Sequence, residues 1–206
     1  MKRITAAEIV ARATAPFAKG VTVDLSRLEV SEPVDLSRAI LGNLDFSGSR
    51  FAAPFVASGA TFAGLAWFKG AEFVANVDMT RALFCNDLRM KGAILRGPAS
   101  FSGAQLHGVA DFDSVRFDDR ADLDGLVVFG NVSMAATQFR APVTLQGSDF
   151  LGGLWCEGAT FSSRADIRGV EVHGRTWLKR ASVAATDASP ARGALRDIQS
   201  FGYRWQ

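Results

Sequence analysis

Apolar residues recur along this chain at a fixed interval of eleven, in two interleaved series. One series reads Phe46, Ala57, Phe68, Met79, Met90, Phe101, Phe112, Leu123, Met134, Leu145, Cys156, Ile167, Leu178. The other, offset by five, reads Phe51, Phe62, Phe73, Phe84, Leu95, Leu106, Phe117, Val128, Phe139, Phe150, Phe161, Val172, Val183. All 26 positions are apolar in a chain that is 48 % apolar, so the pattern is not one of composition. A helix repeats every 3.6 residues and a strand every two, and neither accounts for steps of five and six. Such steps suit a chain that turns a corner at each short unit, its central residue pointing inward. Two residues before each centre stands a second small or apolar residue, as at Ala60, Ala71, Ala82, Ala93 and Ala104, and again at Ala66, Ala99, Ala110, Ala121 and Ala165. Two residues after the first-series centres glycine recurs, at Gly48, Gly59, Gly70, Gly92, Gly103, Gly125, Gly147, Gly158 and Gly169, where a tight corner can demand a positive φ.

The ruler can be followed backwards to Val23. Val-Asp-Leu-Ser-Arg stands at 23–27 and again at 34–38, with centres Leu25 and Leu36. The step from Leu36 to Phe46 is ten, which places a one-residue deletion near Gly42–Asn43. Ahead of the array, residues 5–13 read as a short helix: Thr5 and Glu8 have capping-box spacing, and Ile4, Ile9 and Val10 supply an apolar side. After Val183 the pattern stops. Residues 184–190 read as a small-residue linker and 191–200 as a second short helix. Phe201, Tyr203 and Trp205 then alternate with Gly202 and Arg204 as in an edge strand or docking tail.

Ala-Asp-Phe-Asp-Ser (110–114), Ala-Asp-Leu-Asp-Gly (121–125), Val-Asp-Leu-Ser-Arg (34–38) and Leu-Asp-Phe-Ser-Gly (44–48) resemble the pentapeptide-repeat family, whose unit is a small residue, Asp or Asn, a central Leu or Phe, then two polar residues. The resemblance covers residues 23–183. It implies an all-β fold, a right-handed, quadrilateral parallel β-helix with one short unit per side. Here alternate units carry a sixth residue, so one turn takes 22 residues rather than twenty. The expected organisation is a capping helix and lead-in over 1–22, the β-helix over 23–183, and linker, short helix and aromatic tail over 184–206. One inward column is expected to stack Phe51, Phe73, Leu95, Phe117, Phe139 and Phe161.

Composition adds bounds. The net charge is +2 with 21 % charged residues, which suits an ordinary globular chain. No run of 18 apolar residues predicts a membrane span, no secretory signal is read at the start, and two cysteines do not make a disulfide scaffold, so the expectation is cytoplasmic. Cys85 is expected to face outward and Cys156 to be a core centre. No phosphate loop, nucleophile elbow or metal-ligand motif is present, and neither cofactor nor metal nor catalytic residue is assigned. His107 and His173 are three turns apart on one column, too far to share a metal.

The surface feature that stands out is aromatic. Trp67, Trp155 and Trp177 each precede a first-series centre and face outward on one column. Beside it, His107, Phe129, Leu151 and His173 follow second-series centres. Phe129, Leu151, Trp155, His173 and Trp177 are therefore expected to form an apolar patch that binds something, unless Phe201, Tyr203 and Trp205 fold back over it. The tail is read either as an end cap or, as in resembling proteins, as a homodimer surface. Charge is uneven: six acids against two bases over 108–125, and eight bases against four acids over 164–206. The leading expectation is a non-enzymatic interaction module with a protein partner, neither binding nucleic acid directly nor contacting a membrane. The resemblance also implies a DNA-mimicking factor that binds and protects gyrase, which a chain of pI near 8.7 fits poorly. A third reading places a small-molecule binder or enzyme at Trp155, His173 and Trp177, with Glu171 or Arg175 assisting.

Overall fold

In the structure, a computed structural model, residues 1–16, 18, 20–162, 164–184, 195 and 197–205 are described. The chain winds into a four-sided parallel β-solenoid of short strands, two or three residues each. In chain order its faces begin at Thr22–Asp24, Leu28–Val30, Val34–Asp35 and Ile40–Leu41, and hold nine, nine, seven and eight strands. Adjacent strands are in register at 22 residues, as in Ala66 on Leu88 and Phe73 on Leu95. In the lowest turn the offset is 21 on every face, as in Val34 on Phe55 and Ile40 on Thr61. It becomes 22 from Leu44 on Ala66, which places the missing residue between Leu41 and Leu44, where the phase of the centres put it.

Each short unit exists because its residues satisfy one corner. The Asp before a first-series centre accepts the backbone N–H two residues on: Asp45 Oδ1 takes Ser47 N at 2.8 Å and Asp78 Oδ1 takes Thr80 N at 2.9 Å. This Asx turn is the physical content of the acidic position in the repeat. The hydroxyl and backbone N–H of Ser37 hold the Asp35 carboxyl below its ordinary value, and those of Ser26 do the same for Asp24. The centre's carbonyl then accepts the N–H three residues on, as from Ser49 N to Phe46 O at 3.0 Å, with a positive φ between them. Glycine fills most of these left-handed places, but Ser114 and Ala136 also adopt them at φ 56° and 54°. The six-residue steps fall on the other two corners, from the second face to the third and from the fourth to the first.

Inside, the expected columns are present. Phe51 stacks on Phe73 at 5.0 Å, Phe117 on Phe139 at 4.8 Å and Phe139 on Phe161 at 5.0 Å, all within 15° of parallel. Centroid separations of this size are what strand spacing imposes on rings that share a column. Where a centre shrinks to Ala57, the inner slot before it grows to Phe55. That ring is fully buried and meets Phe46, Phe51, Phe68 and Phe73 edge-on.

The lower end is closed by two devices. Lys2–Arg3 pair beneath Leu28–Glu29. Helix α1, Ala6–Ala13, packs on Val34–Asp35 with Ile9 and Ala13 buried. Its capping box is formed, Glu8 N donating to Thr5 Oγ1 at 3.2 Å and Thr5 N to Glu8 Oε2 at 3.1 Å. Of the second expected helix, residues 191–194 and 196 lie outside the described residues. At its far end the expectation is corrected, since Gln199–Ser200 form a strand. Among the described residues, no helix is long and apolar enough to cross a membrane.

Two outcomes follow from this packing. Phe117→Ala opens a cavity inside a continuous ring stack and is expected to cost about 3–5 kcal/mol, read as a lowered urea midpoint. Ala136→Gly removes the penalty of a side chain in the left-handed region and is expected to raise stability by about 0.5–1 kcal/mol in the same assay.

Candidate functional site

The corner from the fourth face to the first is where the wall becomes apolar. Three residues bridge the strands on each turn: 129–131, 151–153 and 173–175, then 201–203. The middle one is Gly130, Gly152, Gly174 or Gly202. Successive turns approach so closely here that a Cβ on Gly152 would lie 2.2 Å from Gly130 O, and one on Gly202 2.2 Å from Gly174 O. The corner thus carries a bare backbone ladder flanked by large side chains. Phe129 is 51 % exposed and Leu151 41 %. His107 meets Phe129 edge-on at 5.2 Å. Around the corner on the first face Trp155 and Trp177 are half-buried, and the Trp155 ring lies across Gly153, whose Cβ would stand 2.5 Å from Trp155 Cζ3.

The tail completes the site by forming a further rung. Gln199–Ser200 pair with Glu171–Val172, and Arg204–Trp205 with Thr176–Trp177. Phe201 stacks on His173 at 5.0 Å and 20°, while Trp205 packs on Trp177 at 5.0 Å and on Tyr203 at 5.1 Å. The Arg175 guanidinium stands 6.0 Å from the Trp205 ring centre. Arg204 is in register with the buried Thr176 and donates to Ile198 O at 3.1 Å and Leu195 O at 2.5 Å. The tail therefore lengthens the aromatic column at its end, leaving Phe129 and Leu151 uncovered and adding Phe201 and Tyr203, which are 64 % and 74 % exposed. Four of the seven large apolar side chains most exposed among the described residues lie on this one corner.

The remaining candidates scatter. Trp67 shares the outward column of Trp155 but lies lower, in a groove of about 680 Å³ shared with Lys69, Asp87, Arg89 and Lys91. Cys85 and Cys156 are both free, and burial pushes the Cys156 thiol up to about 12, far from a reactive value. The acids of 108–125 do not make one face. Asp111 and Asp113 flank the first face and pair with Arg89 and Lys91. Asp118 sits beyond the second face among Arg96, Arg116 and Arg140, and Asp124 accepts Gln146 N on the third side.

His173 has acidic company. Its Nε2 lies 3.0 Å from Asp149 Oδ1 and 3.8 Å from Glu171 Oε2. Pairing His173 with Glu171 or Arg175 alone misses Asp149. The signal was available, because 149 and 171 are one turn apart and must be ladder neighbours. The tail's docking was also written in the chain: Leu151-Gly-Gly-Leu-Trp155, His173-Gly-Arg-Thr-Trp177 and Phe201-Gly-Tyr-Arg-Trp205 are one motif three times.

Gly202→Ala tests the docked tail directly, since its new methyl meets backbone rather than a yielding side chain. The expected result is a released tail: protease cleavage at Tyr203, red-shifted tryptophan emission, and a tower whose far-UV spectrum is unchanged.

Comparison with the curated proteins finds no match. A family model described as pentapeptide repeats matches nine copies over residues 36–83 and 91–138. Its units coincide with the stacked sides of the tower, from the centre Leu36 upward. By repeat and by fold alike, the chain belongs to the pentapeptide-repeat family.

Proposed function

We propose that this protein is a non-enzymatic interaction module, a rigid tower that presents its upper aromatic corner to a partner protein. The contact surface is Phe129, Leu151, Trp155, His173 and Trp177, prolonged by Phe201, Tyr203 and Trp205. The observation that carries this reading is the concentration of exposed apolar side chains on one corner of an otherwise polar wall. Contiguous apolar surface of this kind is held against water at a cost, and it marks surface that another molecule covers. Aromatic anchors flanked by a cation such as Arg175 are also the side chains that dominate binding energy at protein interfaces. The wall behind them is backbone-bonded on both sides, so little conformational freedom is lost on docking.

The test is a photo-crosslinking amino acid placed at residue 151, with one at residue 140 on the distant second-to-third corner as reference, in cells of the source organism. An adduct of defined mass from position 151, absent from position 140, is expected. It should disappear when Phe129 and Phe201 become Ser. An adduct at twice the chain's mass identifies the partner as a second copy. Equal labelling from both positions would overturn the assignment of the surface.

A further inference from the structure

Stacking in register makes each outward residue the neighbour of the residues one turn above and below it. Among the described residues two ladder pairs put carboxylate on carboxylate: Asp24 on Asp45, and Asp149 on Glu171. The first pair is accounted for. Each acid accepts a backbone N–H in its own Asx turn, Ser26 N for Asp24 and Ser47 N for Asp45, and Arg12 approaches Asp24. The second pair has neither device. Among the described residues, the group that meets both Asp149 and Glu171 within ion-pair distance is His173. His173 is two residues beyond Glu171 and on the same side of the strand, so its ring overhangs both acids.

The donor atoms converge. Asp149, Glu171 and His173 each offer one ligand atom, and the three atoms lie within 4.8 Å of one another. Asp149 Oδ1 is shielded from solvent and accepts no hydrogen bond, although His173 Nε2 stands 3.0 Å from it. A carboxylate oxygen without a hydrogen-bond donor, beside a second carboxylate and an imidazole nitrogen, is an arrangement that a cation satisfies. The imidazole is held in place: Phe201 stacks on it, nearly parallel, from the rung above.

We propose that Asp149, Glu171 and His173 bind one divalent transition-metal ion of the zinc type, through two carboxylate oxygens and imidazole Nε2. Bonds of about 2.0–2.2 Å in a tetrahedron set ligand atoms about 3.3–3.6 Å apart, and the separations of 3.0 and 3.8 Å to Nε2 bracket that range. One nitrogen and two oxygens suit zinc and its neighbours rather than calcium, which takes six or more oxygens. Three protein ligands leave the fourth position facing solvent. The site is independent of the partner-binding reading: it needs only the ladder and the docked tail.

The fold supplies an internal control. His107 occupies the same place on the corner three turns lower, packed against Phe129, but the positions that correspond to Glu171 and Asp149 are Gln105 and Leu83. Untagged full-length protein, freed of metal by a chelator, is titrated with Zn²⁺ by calorimetry and with Co²⁺ by visible absorbance. One equivalent is expected to bind, with a rise in the thermal midpoint. Asp149→Asn and His173→Ala should each weaken binding by about tenfold or more, and His107→Ala should leave it unchanged, with far-UV spectra confirming that all three variants fold. The near-isosteric Asp149→Asn preserves the test if His173→Ala disturbs the tail. Absence of a stoichiometric zinc-dependent signal in the wild type overturns the proposal. So does an equal loss in His107→Ala, which would mean scattered binding to surface histidines.

Discussion

The interaction on which this structure depends is the in-register parallel ladder at 22 residues. It makes every side chain the vertical neighbour of its own equivalent, inside and out. Within the tower that suits phenylalanine, whose rings repeat at ladder spacing without competing for volume. Outside it penalises like charge on like charge. The second face answers with opposite signs, Glu29, Arg50 and Glu72 bridging in succession. The third alternates acids with hydroxyls, as in Asp78 on Ser100 and Asp122 on Thr144. At the corners a hydroxyl or amide from the next turn donates to the acid below, as Thr144 and Gln146 do to Asp124. Charge in this chain is arranged by column, and stretches of sequence that look acidic dissolve into pairs once wound.

The same repetition explains what could be read in advance. Every centre has one job and one environment, so a deletion of a single residue between Leu41 and Leu44 shows as a slip of phase. Three features escaped. Phe55 fills a slot read as small or apolar, and its size was not read, because volume at this level is shared between the two inward positions, Phe55 and Ala57. The tail returns in phase after 28 residues instead of 22, as Glu171 on Gln199 shows. A search for constant spacing passes over that offset, although the five-residue motif ending in Trp205 is intact. Asp149 was missed for a different reason. Ligand clusters are usually sought among near neighbours or paired histidines, whereas here convergence comes from one step up the ladder.

The returning tail is stabilised by what it gives the tower's end. An open rung exposes unpaired backbone groups, and the tail supplies partners: Thr176 N donates to Tyr203 O and Leu178 N to Trp205 O, both at 2.8 Å. Gln199 N and Phe201 N bond back to Val170 O and Val172 O. Arg204 stands in register with the buried Thr176 and ties the tail to the carbonyls of Ile198 and Leu195. A cap needs no more than this. The exposed ring of Phe201 and the phenol of Tyr203 contribute little to closing the rung, yet they extend the apolar corner of Leu151, Trp155 and Trp177.

That surface lies on a long corner for a steric reason. At the tight corners a left-handed residue faces solvent and the side chains beside it are turned into Asx caps, which leaves no width for an aromatic surface. At the long corners an added residue opens a third position. Between the fourth and first faces the middle place is glycine on every turn from Gly108 to Gly202, where a Cβ would meet the backbone of the turn below, while Asn86 holds it lower down. Glycine removes the side chain that would separate its neighbours, so residues before and after it share a bare strip of backbone across which large rings can lie, as Trp155 does over Gly153. The constraint that packs successive turns together thereby clears the ground on which the apolar corner, and beside it the Asp149–Glu171–His173 cluster, are built.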